Sequence, residues 1–162
     1  MKRTKIVIFF VTFFIVCIFI SESSPSDKKA KTQTKDDIEE HYIFTQWSIN
    51  QKILNKYFEL KMIAYDYKLN YQRQRMHDYN SRKSQELRIE AEKIEERKRD
   101  IKNKIDELKD EKNILELDAL KYYKGKLPKT FIKKWNKNED ELFSKTSEFQ
   151  DEELEIINSV NE

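Results

Sequence analysis

The chain has 162 residues, 38% of them charged, with one glycine, two prolines, one cysteine and a formal net charge of +2. A single glycine excludes the glycine-rich loops that cradle phosphates, and Cys17, His41 and His77 are too few for most nucleophilic or zinc chemistry. The near-zero charge gives no electrostatic footprint for nucleic acid.

The N-terminus reads MKRTK, then IVIFFVTFFIVCIFI, then SESSPS. A basic start, an apolar core at 6–20 and small residues at its exit are the parts of a secretory signal peptide, assigned to residues 1–23 with cleavage after Ser23. The competing reading is an uncleaved anchor, but at about 1.5 Å per residue the core spans ~22 Å against a hydrocarbon layer of ~30 Å. Cleavage removes Lys2, Arg3, Lys5 and Glu22, which is three of 32 basic and one of 30 acidic residues, and leaves 29 of each. Cys17 leaves too. A cysteine-free exported chain has no disulfide and stands on packing alone.

Residues 24–35, SPSDKKAKTQTK, are polar and unpatterned and read as a disordered tail. The remainder, 36–162, reads as a single all-α domain: an elongated hairpin or bundle of two long helices plus a C-terminal helical region, over about 36–79, 84–124 and 128–160. The basis is the 99-residue stretch from Ser26 to Lys124 without glycine or proline, since strands need turns and turns favour those residues.

The first helix starts at Thr34 or Asp36, with Asp36, Asp37, Glu39 and Glu40 suiting its positive end. Ile53, Tyr57, Leu60, Ala64, Tyr67 and Tyr71 alternate at three and four residues. A neighbouring row adds Trp47, Leu54, Phe58, Met62, Tyr65 and Leu69. Two apolar rows predict a helix buried by more than one neighbour. They also suit a bundle that holds an apolar ligand between its helices. HDYNSRKS, 77–84, is the expected break, with Asn80, Ser81 or Ser84 as the cap.

The second helix carries a coiled-coil heptad, Leu87, Ile94, Ile101, Leu108, Leu115 and Tyr122. Ala91, Lys98, Ile105, Lys112 and Ala119 follow four residues on. Lysines in the second row make a partly wet seam, suited to an antiparallel hairpin or a weak dimer. Elsewhere the helix is charged, with opposite signs at i,i+4 in Glu95–Arg99 and Asp100–Lys104.

KYYKGKLPKTFIKKW, 121–135, is a helix stop and restart: lysines in the last turn, Gly125 as the left-handed residue and Pro128 to open the next helix. It is also a basic, aromatic surface, and Lys121, Tyr122, Tyr123, Lys124, Lys126, Lys129, Lys133, Lys134 and Trp135 are its candidate binding residues. Residues 121–137 hold seven lysines and no acid, whereas 138–162 hold nine acids and Lys145. The two blocks suit an acidic tail folded back on the turn, a surface for an anionic partner, or a weak divalent-cation surface. Asn138 and Glu141 resemble a capping box, which would split the third region near Asn136. Asn136, Asn138 and Asp140 mimic an EF-hand loop but lack its central glycine and closing glutamate.

The stretch IDELKDEKNILELDALKYYKGKLPKTFIKKW, a helix, a proline join and a further helix, resembles the small secreted SXP/RAL-type antigens of nematodes. Together with the leader and the cysteine-free helical body, the resemblance implies a divalent-cation site on the acidic C-terminal helix. The aromatic first helix and the dense charge depart from that family.

The residues therefore point to a secreted, non-enzymatic helical protein that binds another protein or itself as a dimer. The alternative is a helical carrier of an apolar ligand or a divalent cation. No cofactor is expected, nucleic acid is disfavoured by export, and membrane contact requires an uncleaved leader.

Overall fold

The computed structural model describes residues 34–160, which fold as a bundle of three helices: α1 (Lys35–Arg75), α2 (Arg82–Tyr122) and α3 (Lys129–Asn158). The leader at 1–23 and the tail as far as Gln33 lie outside the described residues. Thr34 belongs to the fold as the N-cap of α1. Its hydroxyl accepts from Asp37 N at 3.2 Å while the Asp37 carboxylate accepts from Thr34 N at 2.9 Å, a closed capping box. At 41 residues each, α1 and α2 run about 61 Å.

The chain reverses across Met76–Ser81, and Ser81 caps α2 by accepting from Ser84 N at 3.1 Å. At the other end of α2 the stop is a Schellman motif. Gly125 N donates to Leu120 O at 2.8 Å and Lys124 N donates to Lys121 O at 3.1 Å. The first left-handed residue is Lys124, at φ 54°, and Gly125 follows at φ 80°. The expected role of Gly125 is thus shifted by one, because α2 closes its last turn one residue earlier. Pro128 is the N-cap of α3. The split expected near Asn136 does not occur: α3 is continuous, because Asn138 and Glu139 turn inward to α1 instead of capping a new helix.

Helix α1 packs against both other helices, whereas no Cα pair between α2 and α3 comes within 8 Å. α2 runs antiparallel to α1, as Tyr42–Asp118 at one end and Asn70–Leu87 at the other show. α3 runs parallel to α1. The pairs Glu39–Thr130, Lys61–Glu152 and Lys68–Ser159 all join residues 91 apart in sequence. Long side chains bridge α2 to α3 over α1, in Lys98–Glu153 at 2.8 Å and Lys112–Glu139 at 2.6 Å.

The seam of α2 faces these intrachain neighbours. Leu87, Ile94 and Ile101 are buried, Leu108 and Leu115 are half-buried, and Tyr122 is exposed. A straight helix drifts ~20° per heptad against a seven-residue repeat, so the last member of the row rotates outward and the second row rotates in. Ile105 and Ala119 of that second row are accordingly buried. Glu95–Arg99 and Asp100–Lys104 do not pair; Lys98 of the same stretch reaches α3 instead.

Two apolar clusters form the core. The larger joins Ile49, Ile53, Leu60 and Ile63 to Ile94, Ile101, Ile105 and Leu142, and the smaller joins Tyr42, Ala119, Phe131 and Trp135 at the turn end. A polar layer lies between them. Glu139 Oε1 accepts from Gln46 Nε2 at 2.7 Å and from Asn50 Nδ2 at 3.3 Å, and its Oε2 accepts from Lys112 Nζ at 2.6 Å. Asn138 Nδ2 donates to Gln46 Oε1 at 3.0 Å, while Asn50 Oδ1 is buried without a partner.

Two substitutions test this arrangement. Ile101→Asp places an unpaired carboxylate in the larger cluster, at a cost of several kcal/mol against a typical total of about 5–15. Circular dichroism should show the helical signal lost or its melting greatly lowered, and an unchanged melt removes Ile101 from the core. Glu139→Ala strands Lys112 and frees two amides, and chemical denaturation should register a loss of about 3 kcal/mol.

Candidate functional site

The turn singled out by its lysines and rings sits at one end of the bundle, and the fold divides its residues between core and surface. Phe131 is fully buried and stacks on Trp135, ring centroids 5.4 Å apart. Trp135 is only 7% exposed, so it is a core residue and not part of a binding surface. Its carbonyl accepts from buried Gln46. Lys134 is engaged as well, donating to Glu39 at 2.9 Å, and Thr130 Oγ1 donates to the other Glu39 oxygen. Burial works against ionisation of Glu39, but these two hydrogen bonds outweigh it and hold its carboxyl below the usual carboxylate range. Lys121, Lys124, Lys126, Lys129 and Lys133 are exposed, and Tyr122 is 43% exposed.

Tyr122, Tyr123, Lys124 and Lys126 meet Lys35, Asp36 and Glu39 around an open cleft of about 720 Å³. The Tyr123 hydroxyl is buried there without a hydrogen-bond partner, and burial, then Glu39, push its pKa up. Tyr42, behind it, donates to Asp118 at 2.7 Å; burial first, and then this bond, raise its pKa to about 12.

The acidic block of α3 does not fold back on the lysine turn. Because α3 runs away from that turn alongside α1, its acids meet lysines farther along: Glu139 meets Lys112, Glu152 meets Lys61 and Glu153 meets Lys98. Among the described residues no group of three or more His, Cys, Asp or Glu is placed to hold a metal ion. Two recesses between the helices are small, about 270 Å³ beside Tyr57 and Leu60 and about 200 Å³ beside Ile63 and Ala64, and both have charged rims.

The row Trp47, Phe58, Met62, Tyr65 and Leu69, expected in the core, faces solvent, and of that row only Leu54 is buried. Both neighbours of α1 cover the Ile53–Leu60–Ala64 row, so the second row is left largely uncovered; only Phe58 reaches another helix, edge-on to Phe149 of α3 with ring centroids 6.1 Å apart. Phe44 joins this face, stacked on Trp47 at 5.7 Å. The result is a narrow apolar stripe of six side chains, each between 43% and 66% exposed, over some 25 residues of α1. Residues three and four apart stack on one helical face, so the stripe forms two runs, Phe44–Trp47 and Phe58–Met62–Tyr65–Leu69, with Gln51 and Asn55 between them. Isolated exposed apolar residues are ordinary, whereas these six are grouped on one face of one helix. Its signal was the second row itself, which periodicity alone could not assign to inside or outside. No protein-family model, curated protein or solved structure matches this chain.

Two measurements check the geometry at the turn. A tyrosine whose folded pKa is about 12 against an ordinary 10 keeps its proton longer in the folded state, so stability is full below pH 10 and falls as pH rises toward 12. In Tyr42→Phe this alkaline slope should flatten, with a loss of about 1 kcal/mol at neutral pH. Lys124→Gly relieves a left-handed non-glycine residue and should stabilise the fold by roughly 0.5–1 kcal/mol in denaturant titrations.

Proposed function

We propose that this is an exported, non-enzymatic protein that works by binding another protein chain, with the outward stripe of α1 as its contact surface. The observation that carries the reading is the exposure of Phe44, Trp47, Phe58, Met62, Tyr65 and Leu69 on a helix whose opposite side is already fully packed. Aromatic and methionine side chains are the types enriched in protein interfaces, and lysine, glutamate and aspartate are the types depleted there. The stripe follows that composition, and the outer face of α2 does not. The basic start and apolar core of residues 1–23 support export. Among the described residues no helix is long and apolar enough to cross a membrane.

A second surface fits an acidic partner. Lys121, Lys124, Lys126, Lys129 and Lys133 are exposed at one end, and none makes an ion pair among the described residues. Exposed lysines steer an encounter more than they hold a complex, so this patch ranks below the stripe.

The test is a photo-cross-linking residue at Met62, with Lys93 on the outer face of α2 as control, in protein released by a eukaryotic host. Protein adducts at Met62 but not Lys93 are expected, together with a mass that begins near Ser24. Co-purified lipid in place of protein adducts overturns the reading in favour of a carrier, and retention of residues 1–23 in a membrane fraction overturns export.

A further inference from the structure

We propose that the partner of the α1 stripe is a second copy of this chain, packed antiparallel about a two-fold axis that passes between Asn55 and Phe58. The inference rests on the stripe being a protein contact surface, as argued above.

The positions of this face are close to palindromic, with the outer pairs apolar on both sides and the two central pairs setting an amide against an apolar side chain. Measured outward from Asn55 and Phe58, the next positions on the same face are Gln51 and Met62, then Trp47 and Tyr65, then Phe44 and Leu69. One step farther on each side stands an exposed charge, Glu40 before Phe44 and Arg73 after Leu69. Neither makes an ion pair among the described residues. Antiparallel pairing of two such helices sets Glu40 against Arg73 of the second copy, twice by symmetry. Parallel pairing sets Glu40 on Glu40 and Arg73 on Arg73. Opposite charges at the two ends of an apolar stripe therefore select the antiparallel, isologous arrangement.

The area agrees. Six side chains of roughly 200 Å² each, about half exposed, present ~600 Å² per copy, so pairing removes ~1,200 Å². That is the lower end of specific protein interfaces and well short of an obligate dimer. A reversible dimer follows, populated in roughly the micromolar range.

The decisive experiment is sedimentation velocity over a concentration series, on the chain as a eukaryotic host processes it. A monomer–dimer equilibrium is expected, and Met62→Glu with Leu69→Glu should leave only monomer while the circular dichroism melt stays unchanged. Glu40→Arg and Arg73→Glu should each weaken the dimer about tenfold, since each creates two like-charge contacts. The double variant, and an equal mixture of the two single variants, should return to near the original affinity. A monomer at every concentration overturns the second copy as partner. If the Met62 cross-link then joins a different protein, the α1 contact surface still stands. A dimer that persists in Met62→Glu with Leu69→Glu overturns the inference and removes the α1 stripe from the proposed function as well. Loss of dimer in both single variants without recovery in the double overturns the antiparallel arrangement.

Discussion

The arrangement of the three helices depends on one polar layer, in which Glu139 of α3 is held by Gln46 and Asn50 of α1 and by Lys112 of α2. Apolar packing alone would not define the register. The α1–α3 pairs stand 91 residues apart, a multiple of seven, and both helices carry apolar positions at spacings of three, four and seven. A slip of one heptad would keep much of the apolar contact. It would also carry Glu139 onto Ile53 and leave Gln46 and Asn50 facing positions near Phe131 and Ile132. A buried carboxylate against isoleucine costs several kcal/mol, whereas in register it is met by an ammonium and two amides. The layer thus acts as a single polar position does in a helical zipper, setting alignment at some expense of stability. The unpartnered Asn50 Oδ1 is part of that expense.

The same layer explains why α1 is the central helix. Its buried set is polar at both ends, with Glu39, Gln46 and Asn50 near the turn and Asn70 near the reversal, and apolar between. Each of these polar groups has a partner on another helix: Glu39 with Lys134 and Thr130, and Asn70 with the Leu87 carbonyl. Lys112 and Lys98 reach over from α2 to the acids of α3 and close the third side without backbone contact. Two helices held this way on one side of α1 leave its other side open along its whole length.

Much of this was legible in the sequence, and the rest was hidden for identifiable reasons. The absence of glycine and proline from Ser26 to Lys124 and the heptad of α2 announced long helices, because charge dominates the rest of α2 and the scattered Ile89, Ile114 and Leu117 form no row to compete with the seam. The reversal near Ser81 and the stop before Pro128 were announced by capping and turn residues. On α1 the pattern fails for the opposite reason: two apolar rows compete, and only the placement of α2 and α3 decides which one is core. Gln46, Asn50 and Asn70 carry no signal in the sequence because their partners lie 17 or more positions away. Trp135 read as surface because the lysines around it are; one turn of helix carries both a buried ring and exposed cations. The acidic block read as a match for the adjacent lysine turn, but a rigid helix carries it away from its sequence neighbours and delivers it to Lys61, Lys98 and Lys112.

The contrast between α1 and α2 bears most directly on function. They have the same length, lie side by side in one fold and meet the same solvent on their outer faces. On α2 that face is charged at most positions, which is what solubility and helix propensity favour where no packing is required. On α1 the corresponding face carries Phe44, Trp47, Phe58, Met62, Tyr65 and Leu69, none of them buried and only Phe58 in contact with a ring of another helix. A helix-forming glutamate or lysine at any of those positions would keep the fold and raise solubility. In a chain that is 38% charged, an apolar row on the open side of the central helix is a cost that folding does not explain, and the proposed partner on that side would account for it.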